Sequence, residues 1–533
     1  MRDPRHQRLS NTEMTTSVLK PLVLLSILAV VGIGVVGALK LSRGTFTETV
    51  HNGKRIINVG PRDSLQAALD AANYGDTIVV QAGAALTGNF TLPKKSGAGE
   101  IIIQSSRISE LPEGKRVNPS QSALFAKLQT ANSEPIIKTA PGAHHYRFEG
   151  IEFTTKDATK QAFDLIRLGE GRGEQKTLDA VPHHLVIDRC YIHGLDTQDV
   201  QRGVNLNSAE TTISNSYISA IHMVGIEAQA IAGWNGPGPF HIINNYLEGS
   251  TQNILFGGAD PAAEALIPSN IEIRGNHMFK PMSWKVSDPT YAGKHWTVKN
   301  ILELKNAKNV TIDGNIFENC WTDGQTGIPI LFTVRNQEGS APYSIIKNVT
   351  FTNNIVRNAE GGLNFLGSDN EKPSQRSSDA VVNNNLFVDI RGPFLTFNGF
   401  NNVSITHNTH FQTSNIMILY GTPAEKFVYR DNLTNRASKG YGVFGDATGE
   451  GTVALRKFTP DFVFKNNVVI GADASQYPKE NQYPASMDRV GFVNFDKGDY
   501  RLGPGSQYNK ASSDGQAVGV DWAKLNFSAK APE

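Results

Sequence analysis

The segment Asn309-Val310-Thr311-Ile312-Asp313-Gly314-Asn315 decides the fold of this chain, because its alternating strand closed by an asparagine returns along most of the sequence. Ten such endings occur, one of them closed by cysteine. They are Ile187-Asp188-Arg189-Cys190, Ile213-Ser214-Asn215, Ile242-Ile243-Asn244-Asn245, Ile273-Arg274-Gly275-Asn276, Ile312-Asp313-Gly314-Asn315, Phe351-Thr352-Asn353-Asn354, Val382-Asn383-Asn384-Asn385, Ile405-Thr406-His407-Asn408, Tyr429-Arg430-Asp431-Asn432 and Phe464-Lys465-Asn466-Asn467. Successive closing positions lie 23 to 39 residues apart. A unit of that size cannot bury its own core, so the units must stack as a repeat protein.

The repeat length selects among the all-β repeat folds. A propeller blade needs about 40 to 45 residues, so the 23-residue minimum favours the shorter coils of a parallel β-helix. Asparagines at one place in successive coils can hydrogen-bond to the next coil and satisfy buried turns. Ahead of the coils, residues 63–72 show helical spacing with Asp63 as the N-cap, and residues 77–83 form an apolar strand. No second helix is predicted before about Leu502.

The order of a capping helix, Gly75-Asp76-Thr77-Ile78-Val79-Val80 and asparagine-ended coils resembles the pectin-lyase-like right-handed parallel β-helix superfamily. The resemblance covers roughly residues 56–500, and it extends to uncharacterised exported bacterial β-helix repeat proteins. It implies an all-β, single-stranded right-handed parallel β-helix with a short N-terminal capping helix. Lyases, hydrolases, epimerases and adhesins share this scaffold, so the fold leaves the reaction open.

The remaining segments give the domain organisation. Residues 1–20 are a basic cytoplasmic region, 21–39 a transmembrane signal-anchor, 40–55 a linker, 56–505 the β-helix, and 506–533 a C-terminal tail or cap. The 19 apolar residues of 21–39 would span roughly 28 Å as a helix, close to the hydrocarbon thickness of a bilayer. Basic residues before this run place the β-helix outside the cytoplasm, in the periplasm or at the cell surface. The alternative is a signal peptide cleaved near Val36-Gly37-Ala38, which would make the protein secreted.

The net charge and the cysteine content limit the kinds of binding partner that the chain can have. The chain has a net charge of +1 over 533 residues, so it lacks the strong positive field of a nucleic-acid-binding protein. Its two cysteines, Cys190 and Cys320, form no disulfide or metal motif and are predicted to be interior residues. We therefore expect no nucleic-acid partner, and we expect a monomer.

A second strand in each coil can be recognised by alternation, and its outward positions form a polar strip. The tetrads are Ile166-Arg167-Leu168-Gly169, Val204-Asn205-Leu206-Asn207, Ile226-Glu227-Ala228-Gln229, Ile254-Leu255-Phe256-Gly257, Leu302-Glu303-Leu304-Lys305, Phe332-Thr333-Val334-Arg335, Leu363-Asn364-Phe365-Leu366 and Leu395-Thr396-Phe397-Asn398. Second and fourth members should point outward and stack at about 4.8 Å per coil. The predicted substrate-binding residues are Asn205, Asn207, Glu227, Gln229, Glu303 and Asn364 on this strip, with Trp234, Lys294 and Trp296 from loops beside it.

Two cations stand out in this strip. The tetrads ending in Lys305 and Arg335 predict that both side chains emerge side by side from adjacent coils, although like charges are normally kept apart across strands. A lysine in such a place can serve as a base. The alternative is a surface charge cluster neutralised by Glu303 and by Glu338 or Asp369.

Leu302-Glu303-Leu304-Lys305-Asn306-Ala307, the segment from Asn309 to Asn315 and Thr333-Val334-Arg335 together resemble part of chondroitinase B and related alginate lyases. The resemblance implies that Lys305 is the base that removes the proton α to a uronate carboxylate, and that Arg335 assists as acid. The family's acidic calcium ligands fall at Asn300 and Val298 here, so no cofactor is predicted and Ca²⁺ stays a secondary alternative.

The predicted function is binding of an acidic polysaccharide, with β-elimination by Lys305 and Arg335 as the specific enzymatic hypothesis. A non-catalytic carbohydrate-binding or structural β-helix is the alternative. A glycoside hydrolase ranks lower, because the chain has no Asp-Asp pair to supply clustered carboxylates. The adjacent pairs His144-His145 and His183-His184 should point to opposite sides of a strand, so no metal site is predicted.

Overall fold

The computed structural model describes residues 46–51 and 53–527. Within these residues, the strands form three large sheets of 15, 13 and 13 strands and one two-stranded sheet. The chain runs through the three large sheets in turn, so each complete coil adds one strand to each. Neighbouring strands in these sheets are parallel, except for a hairpin at either end. The predicted parallel β-helix is confirmed.

The first sheet contains, in spatial order, Thr47–His51, Lys54–Val59, Thr77–Val80, Ile101–Ser105, His144–Glu149, His183–Asp188, Ala209–Ser214, Phe240–Ile243, Ser269–Arg274, Ala307–Asp313, Ile346–Thr352, Ser378–Asn383, Asn401–Thr406, Phe427–Arg430 and Val463–Lys465. The second sheet contains Ala85–Thr87, Ala126–Thr130, Ile151–Thr155, Tyr191–His193, Tyr217–Ser219, Tyr246–Glu248, His277–Phe279, Ile316–Cys320, Ile355–Ala359, Leu386–Ile390, Thr409–Gln412, Leu433–Asn435 and Val468–Ile470.

The third sheet contains Phe90–Leu92, Ile137–Thr139, Ala162–Leu168, Val200–Leu206, Gln229–Gly233, Gln252–Phe256, Leu302–Leu304, Ile330–Thr333, Leu363–Leu366, Leu395–Asn398, Met417–Leu419, Val443–Gly445 and Gly449–Glu450. The small sheet pairs Phe492–Asn494 with Asp499–Leu502. Short 3₁₀ helices cover Ile108–Glu110, Pro119–Leu124, Leu178–Ala180, Glu264–Leu266, Met282–Trp284, Ala474–Gln476, Met487–Arg489, Phe495–Lys497, Gln507–Lys510 and Trp522–Lys524.

The turn from the first sheet to the second holds the predicted asparagine ladder. The backbone N–H of Asn276 donates to Oδ1 of Asn315 at 2.9 Å, and that of Asn315 donates to Oδ1 of Asn354 at 2.9 Å. The Asn315 side-chain amide also donates to the Ile273 carbonyl at 2.9 Å. Each asparagine rung therefore satisfies a buried backbone N–H and a carbonyl, both in the preceding coil. The ladder runs through Cys190, Ser216, Asn245, Asn276, Asn315, Asn354, Asn385, Asn408, Asn432, Asn467 and Asn481.

Two rungs differ from the sequence prediction. The second rung is Ser216, one residue after the predicted Asn215, because Asn215 has a φ of 52° and forms the turn itself. The residue before every asparagine rung up to Asn467 shares this left-handed conformation, which asparagine, aspartate and glycine adopt most readily. Asn481 is an additional rung, supplied by a loop after the last coil. Both cysteines are buried as predicted.

Two α-helices lie at opposite ends of the solenoid. Leu65–Ala71 begins at Ser64, whose hydroxyl accepts from the Ala67 N–H, so the predicted cap at Asp63 is wrong by one residue. Thr452–Phe458 was not predicted, because its N-cap is Gly451 and no side chain caps it. Leu65 and Leu69 of the first helix, and Leu455 and Phe458 of the second, are buried in the main core.

The C-terminal segment covers the outside of the second sheet. Val490, Tyr508, Val518, Val520 and Leu525 pack with outward-facing residues of six coils in a second apolar cluster. The coil residues are Ile316, Ile355, Leu386, Val388, Phe411, Leu433, Val468 and Ile470. This outer face of the second sheet is therefore not available to a ligand over those coils.

The predicted anchor, residues 21–39, lies outside the described residues. Among the residues that are described, no helix is both long and apolar enough to cross a bilayer. The first strand, Thr47–His51, begins within the predicted 40–55 linker and forms a hairpin with Lys54–Val59.

Candidate functional site

The outer face of the third sheet carries the predicted polar strip, but two of its tetrads are out of register. Phe332 pairs with Leu304 and Phe365, so Leu331, and not Thr333, lies next to Glu303. Residues 328–332 are apolar without interruption, and alternation alone could not fix which of them point inward. Likewise Ile231, and not Ile226, pairs with Val204 and Ile254. Ile226 is exposed.

The cationic pair nevertheless remains on adjacent coils. The backbone N–H of Arg335 donates to the Lys305 carbonyl at 2.9 Å, so the two residues lie next to each other across the sheet. Their side chains line one groove with a volume of about 340 Å³. Its lining residues are Glu303, Lys305, Gln325, Thr326, Ile328, Leu331, Thr333, Arg335, Asn364, Leu366, Asn370, Asn398 and Tyr420.

A buried carboxylate lies beneath each cation. Asp369 binds Nη1 of Arg335 at 2.9 Å, with the Asp369 side chain 2% exposed and that of Arg335 29% exposed. Glu303 lies 3.9 Å from the Lys305 ammonium and is 3% exposed against 15% for Lys305. The groups that face solvent in the groove are therefore the cations. The predicted neutralisation by Glu303 and Asp369 is observed, whereas Glu338 instead accepts the Asp260 N–H.

The two cations are held by further contacts. Lys305 Nζ donates to Oε1 of Gln337 at 3.4 Å, and Nη1 of Arg335 also donates to Asn370. Burial would raise the pKa of Asp369, but backbone N–H groups of Glu371 and Asn336 and the Arg335 guanidinium keep that pKa below its ordinary value. Asp369 is thus ionised at neutral pH and orients Arg335.

A chain of polar side chains continues from the groove toward the N-terminal coils. Glu303 accepts from Nε2 of Gln252 at 2.8 Å, and Gln229 Nε2 lies 3.2 Å from both Gln252 Oε1 and Glu227 Oε2. Burial would raise the pKa of Glu227, but its hydrogen bond from Lys299 and the attraction of Lys305 hold it below the ordinary value. The predicted Glu227, Gln229 and Glu303 therefore form one connected network with Lys305.

Asn205 and Asn207 form hydrogen bonds inside the protein, next to the loop that contains Trp234 and Asn235. Asn207 is fully buried, and its Oδ1 accepts the N–H groups of Trp234 and Asn235 at 2.9 Å each. Its amide donates to Asn205, which is also buried and donates to Asp164. These contacts correct the assignment of both asparagines to substrate, since their polar atoms are used inside the protein. Trp234 is half-buried beneath the guanidinium of Arg202.

Trp296 and Lys294 belong to the long excursion before the Lys305 coil. Trp296 is 2% exposed and forms a small aromatic core with Trp284, Val298 and Trp321, stacked on His222 at 3.7 Å. The expectation that Trp296 contacts a sugar is therefore wrong. Lys294 binds the Thr197 carbonyl at 2.8 Å and Asp199 at 3.2 Å, and it lies over the Trp296 ring.

The structure adds groove residues that sequence alternation missed. Gln325 and Thr326 come from the loop after Trp321, and Asn370 from the loop after Leu366. Tyr420 follows the Met417–Leu419 strand and contributes an aromatic wall. Loop residues do not follow the alternation of a strand, so only the length of the loops could have indicated that these residues reach the groove. Asn300 is buried, and its Nδ2 donates to Glu303 and Gln325, whereas its Oδ1 has no hydrogen-bond partner among the described residues.

No protein-family model and no curated protein matches the chain. Among solved structures it is similar to an alginate lyase from Paenibacillus sp. str. FPU-7, with 16% identity over 62% of this chain and 94% of that one, and a TM-score of 0.37. The pectate lyase Pel9A shows 13% identity, coverage of 90% and 96%, and a TM-score of 0.36. A mutant of a PL6 family alginate lyase shows 11% identity, coverage of 90% and 59%, and a TM-score of 0.44.

These proteins are right-handed parallel β-helices, the fold predicted from the sequence. Similarity at this level carries no argument about activity. What the chain does must be argued from the groove itself.

Proposed function

We propose that this protein binds an acidic polysaccharide along the outer face of the third sheet, with the groove at Lys305 and Arg335 as the principal contact. The observation that supports it most is the layering of charge, in which two solvent-facing cations lie above two buried carboxylates. Asp369 and Asn370 both bind Nη1 of Arg335, which leaves Nε and Nη2 without a hydrogen-bond partner among the described residues. A guanidinium held in this way suits the two oxygens of a uronate carboxylate.

The shape of the groove fits a sugar chain. Asn364, Asn398 and Tyr420 continue from the cations along successive strands of the third sheet. Amide groups supply hydrogen bonds to hydroxyls, and the tyrosine ring offers a face for a sugar. The polar face thus extends past the charged centre and can hold more than one residue of a polymer.

We further propose that the bound chain is cleaved by β-elimination. Lys305 would act as the base and take the C5 proton, the C4–O4 bond would break to leave a C4=C5 double bond, and the proton would reach O4 through water. Arg335 would assist as the acid by hydrogen-bonding the developing alkoxide. Lys299 and Lys294 are already paired with Glu227 and Asp199, so Arg335 is also the nearest candidate to offset the substrate carboxylate.

A direct test uses alginate, chondroitin, dermatan and pectate, with neutral dextran as the control polymer. Binding is followed by calorimetry, and cleavage by the absorbance of unsaturated uronate products. We expect Arg335→Ala to weaken binding by about 10- to 100-fold, as for loss of a charge-assisted hydrogen bond. Lys305→Ala should lower the cleavage rate by about 10²- to 10⁴-fold while binding is largely kept.

Lys308→Ala is the matched control, because Lys308 lies on the next strand of the chain and pairs with Glu264 away from the groove. Binding of acidic polymers without any product would support the non-catalytic binding function and contradict the lyase function. Absence of binding to every acidic polymer, or equal losses in Lys308→Ala, would contradict the proposal as a whole.

We also propose that the β-helix lies outside the cytoplasm, tethered through residues 21–39 or released after cleavage there. Four basic residues that precede this run, Arg2, Arg5, Arg8 and Lys20, support this orientation. Protease added to intact cells should degrade the β-helix if it is tethered at the surface, and protease added to spheroplasts should do so if it is periplasmic. Protection in both preparations would contradict the proposal.

A further inference from the structure

Four histidines form a cluster on the first sheet, separate from the groove on the third. His183 pairs with His144 across adjacent strands, and His145 and His184 follow them. The rings of His144 and His183 stack at 4.8 Å, and those of His145 and His184 stack at 4.2 Å. Within each adjacent pair the two Nδ1 atoms lie 2.7 Å apart.

This arrangement corrects the expectation that adjacent histidines point to opposite sides of a strand. His145 has a φ of 58° and His184 a φ of 53°, so the backbone turns through the left-handed region at both positions. Strict alternation of side chains holds only for extended backbone. The turn brings neighbouring imidazoles together on one side, where strand geometry would have separated them.

The same turn in other coils is filled differently. By strand pairing, the position of His145 and His184 is equivalent to Glu210 in the next coil. In later coils the equivalent residues, all with positive φ, are Asn270, Asn309, Asn348, Asp379 and Asn402. There the amides form a ladder, with Asn309 donating to Asn270 at 3.0 Å and Asn348 donating to Asn309 at 2.8 Å. The fold therefore accepts asparagine at this turn, and it requires no histidine.

We propose that His145, His183 and His184 form a binding site for a divalent transition metal of the zinc class, with Glu210 as the carboxylate partner. One nitrogen from each of the three histidines lies within 4.8 Å of the others. Glu210 forms an ion pair with Nε2 of His184, as a carboxylate does when it supports or completes a histidine site. Imidazole ligands suit Zn²⁺, Ni²⁺ and Cu²⁺, whereas Ca²⁺ and Mg²⁺ prefer oxygen.

A bound ion would join ligands from neighbouring coils, so it would also stabilise the N-terminal part of the solenoid.

The test measures Zn²⁺ binding by calorimetry and Co²⁺ binding by its visible absorption spectrum, using the protein as purified and freed of metal by chelation. We expect one ion per chain and a higher midpoint of thermal unfolding with Zn²⁺. The variants His145→Asn and His184→Asn place at each turn the residue that later coils already use, so both should fold. Each should weaken Zn²⁺ binding by about 10- to 100-fold or more, and should abolish the thermal shift.

His241→Asn is the matched control, because His241 pairs with Glu272 at 2.7 Å on the same sheet and is not part of the cluster. Its Zn²⁺ affinity should equal that of the unmodified protein. Absence of saturable binding, or the same loss in His241→Asn as in His184→Asn, would overturn the site. Polysaccharide binding should be unchanged in the histidine variants, so this proposal and the proposed function can fail separately.

Discussion

The asparagine ladder and the groove are built from the same coils, yet they follow opposite rules. In the ladder, each rung repeats the chemistry of its neighbour, and the side-chain oxygen of each asparagine accepts a buried backbone N–H of the preceding coil. In the groove, successive coils supply a glutamate with a lysine, a leucine with an arginine, and an asparagine. The comparison separates what holds a solenoid together from what one solenoid does.

The largest expected effect comes from removing one rung. Asn315→Ala deprives the Asn276 N–H of its acceptor and the Ile273 carbonyl of a donor, both inside the protein. Buried groups left without partners should lower the free energy of unfolding by about 4 kcal/mol, measured by urea denaturation. Asn364→Ala is the control, since Asn364 lines the groove, and its loss should cost no more than about 0.5 kcal/mol. Equal losses in the free energy of unfolding for the two variants would contradict the distinction between structural ladder residues and groove residues.

A second experiment contrasts neutral amides with ion pairs on the outside of the second sheet. Burial would raise the pKa of Glu318, but hydrogen bonds from His277 and Arg357 lower it to about 2. A carboxyl whose folded pKa is depressed contributes stability above its unfolded pKa near 4.5, and loses it as pH falls toward 2. Glu318→Gln should therefore remove about 2 kcal/mol at pH 7 and progressively less below pH 4.5.

The measurement is the free energy of unfolding of both proteins between pH 2.5 and pH 7. We expect the two curves to converge toward the acid end. A constant difference across this range would show that Glu318 contributes packing and not charge. The ladder variant Asn315→Ala, compared in the same way, should keep a constant difference, because amides do not titrate.

The smallest effect is expected where the ladder changes chemistry. The Ser216 hydroxyl accepts the Cys190 N–H at 3.0 Å, and the Ser216 N–H donates to Oδ1 of Asn245. Ser216→Asn would extend the amide series by one rung, and we expect stability to change by no more than about 1 kcal/mol in either direction. A larger loss would show that the space beside Cys190 excludes an amide, and thermal unfolding measures it directly.

The ladder was predicted well from the sequence, because most of its positions carry the same residue. An asparagine recurs after a left-handed turn in most coils, where its side chain hydrogen-bonds to the neighbouring coil. Asn215 was misplaced because it is an asparagine in the turn itself, where the rung is a serine. Alternation predicted the pairing of Leu302 with Ile254 and of Leu363 with Leu395, where polar and apolar residues differ clearly. It failed at Ile330-Leu331-Phe332, where all three residues are apolar and only packing selects the inward ones.

The candidate site was predicted in part. Lys305, Arg335, Glu303 and Asn364 do line one groove, because strands from adjacent coils bring them there regardless of the register error. Trp296 was misassigned because its position in a loop does not reveal whether its ring turns outward or covers an aromatic core. The histidine cluster was missed because its geometry depends on two positive φ angles, and strand alternation cannot anticipate them.

The segment that crosses the second sheet changes how the chain must assemble. Coils of a solenoid normally contact only their neighbours, so such a protein can form one coil at a time. Here the Asp521 N–H donates to Oδ1 of Asn384 at 2.6 Å and the Gly519 N–H donates to the Asp431 carbonyl at 2.9 Å, which joins separate coils through a segment that follows them in the sequence. Apolar side chains on those coils stay uncovered until that segment has left the ribosome. We therefore expect the nascent chain to need a chaperone most while the later coils have been synthesised and the covering segment has not yet emerged.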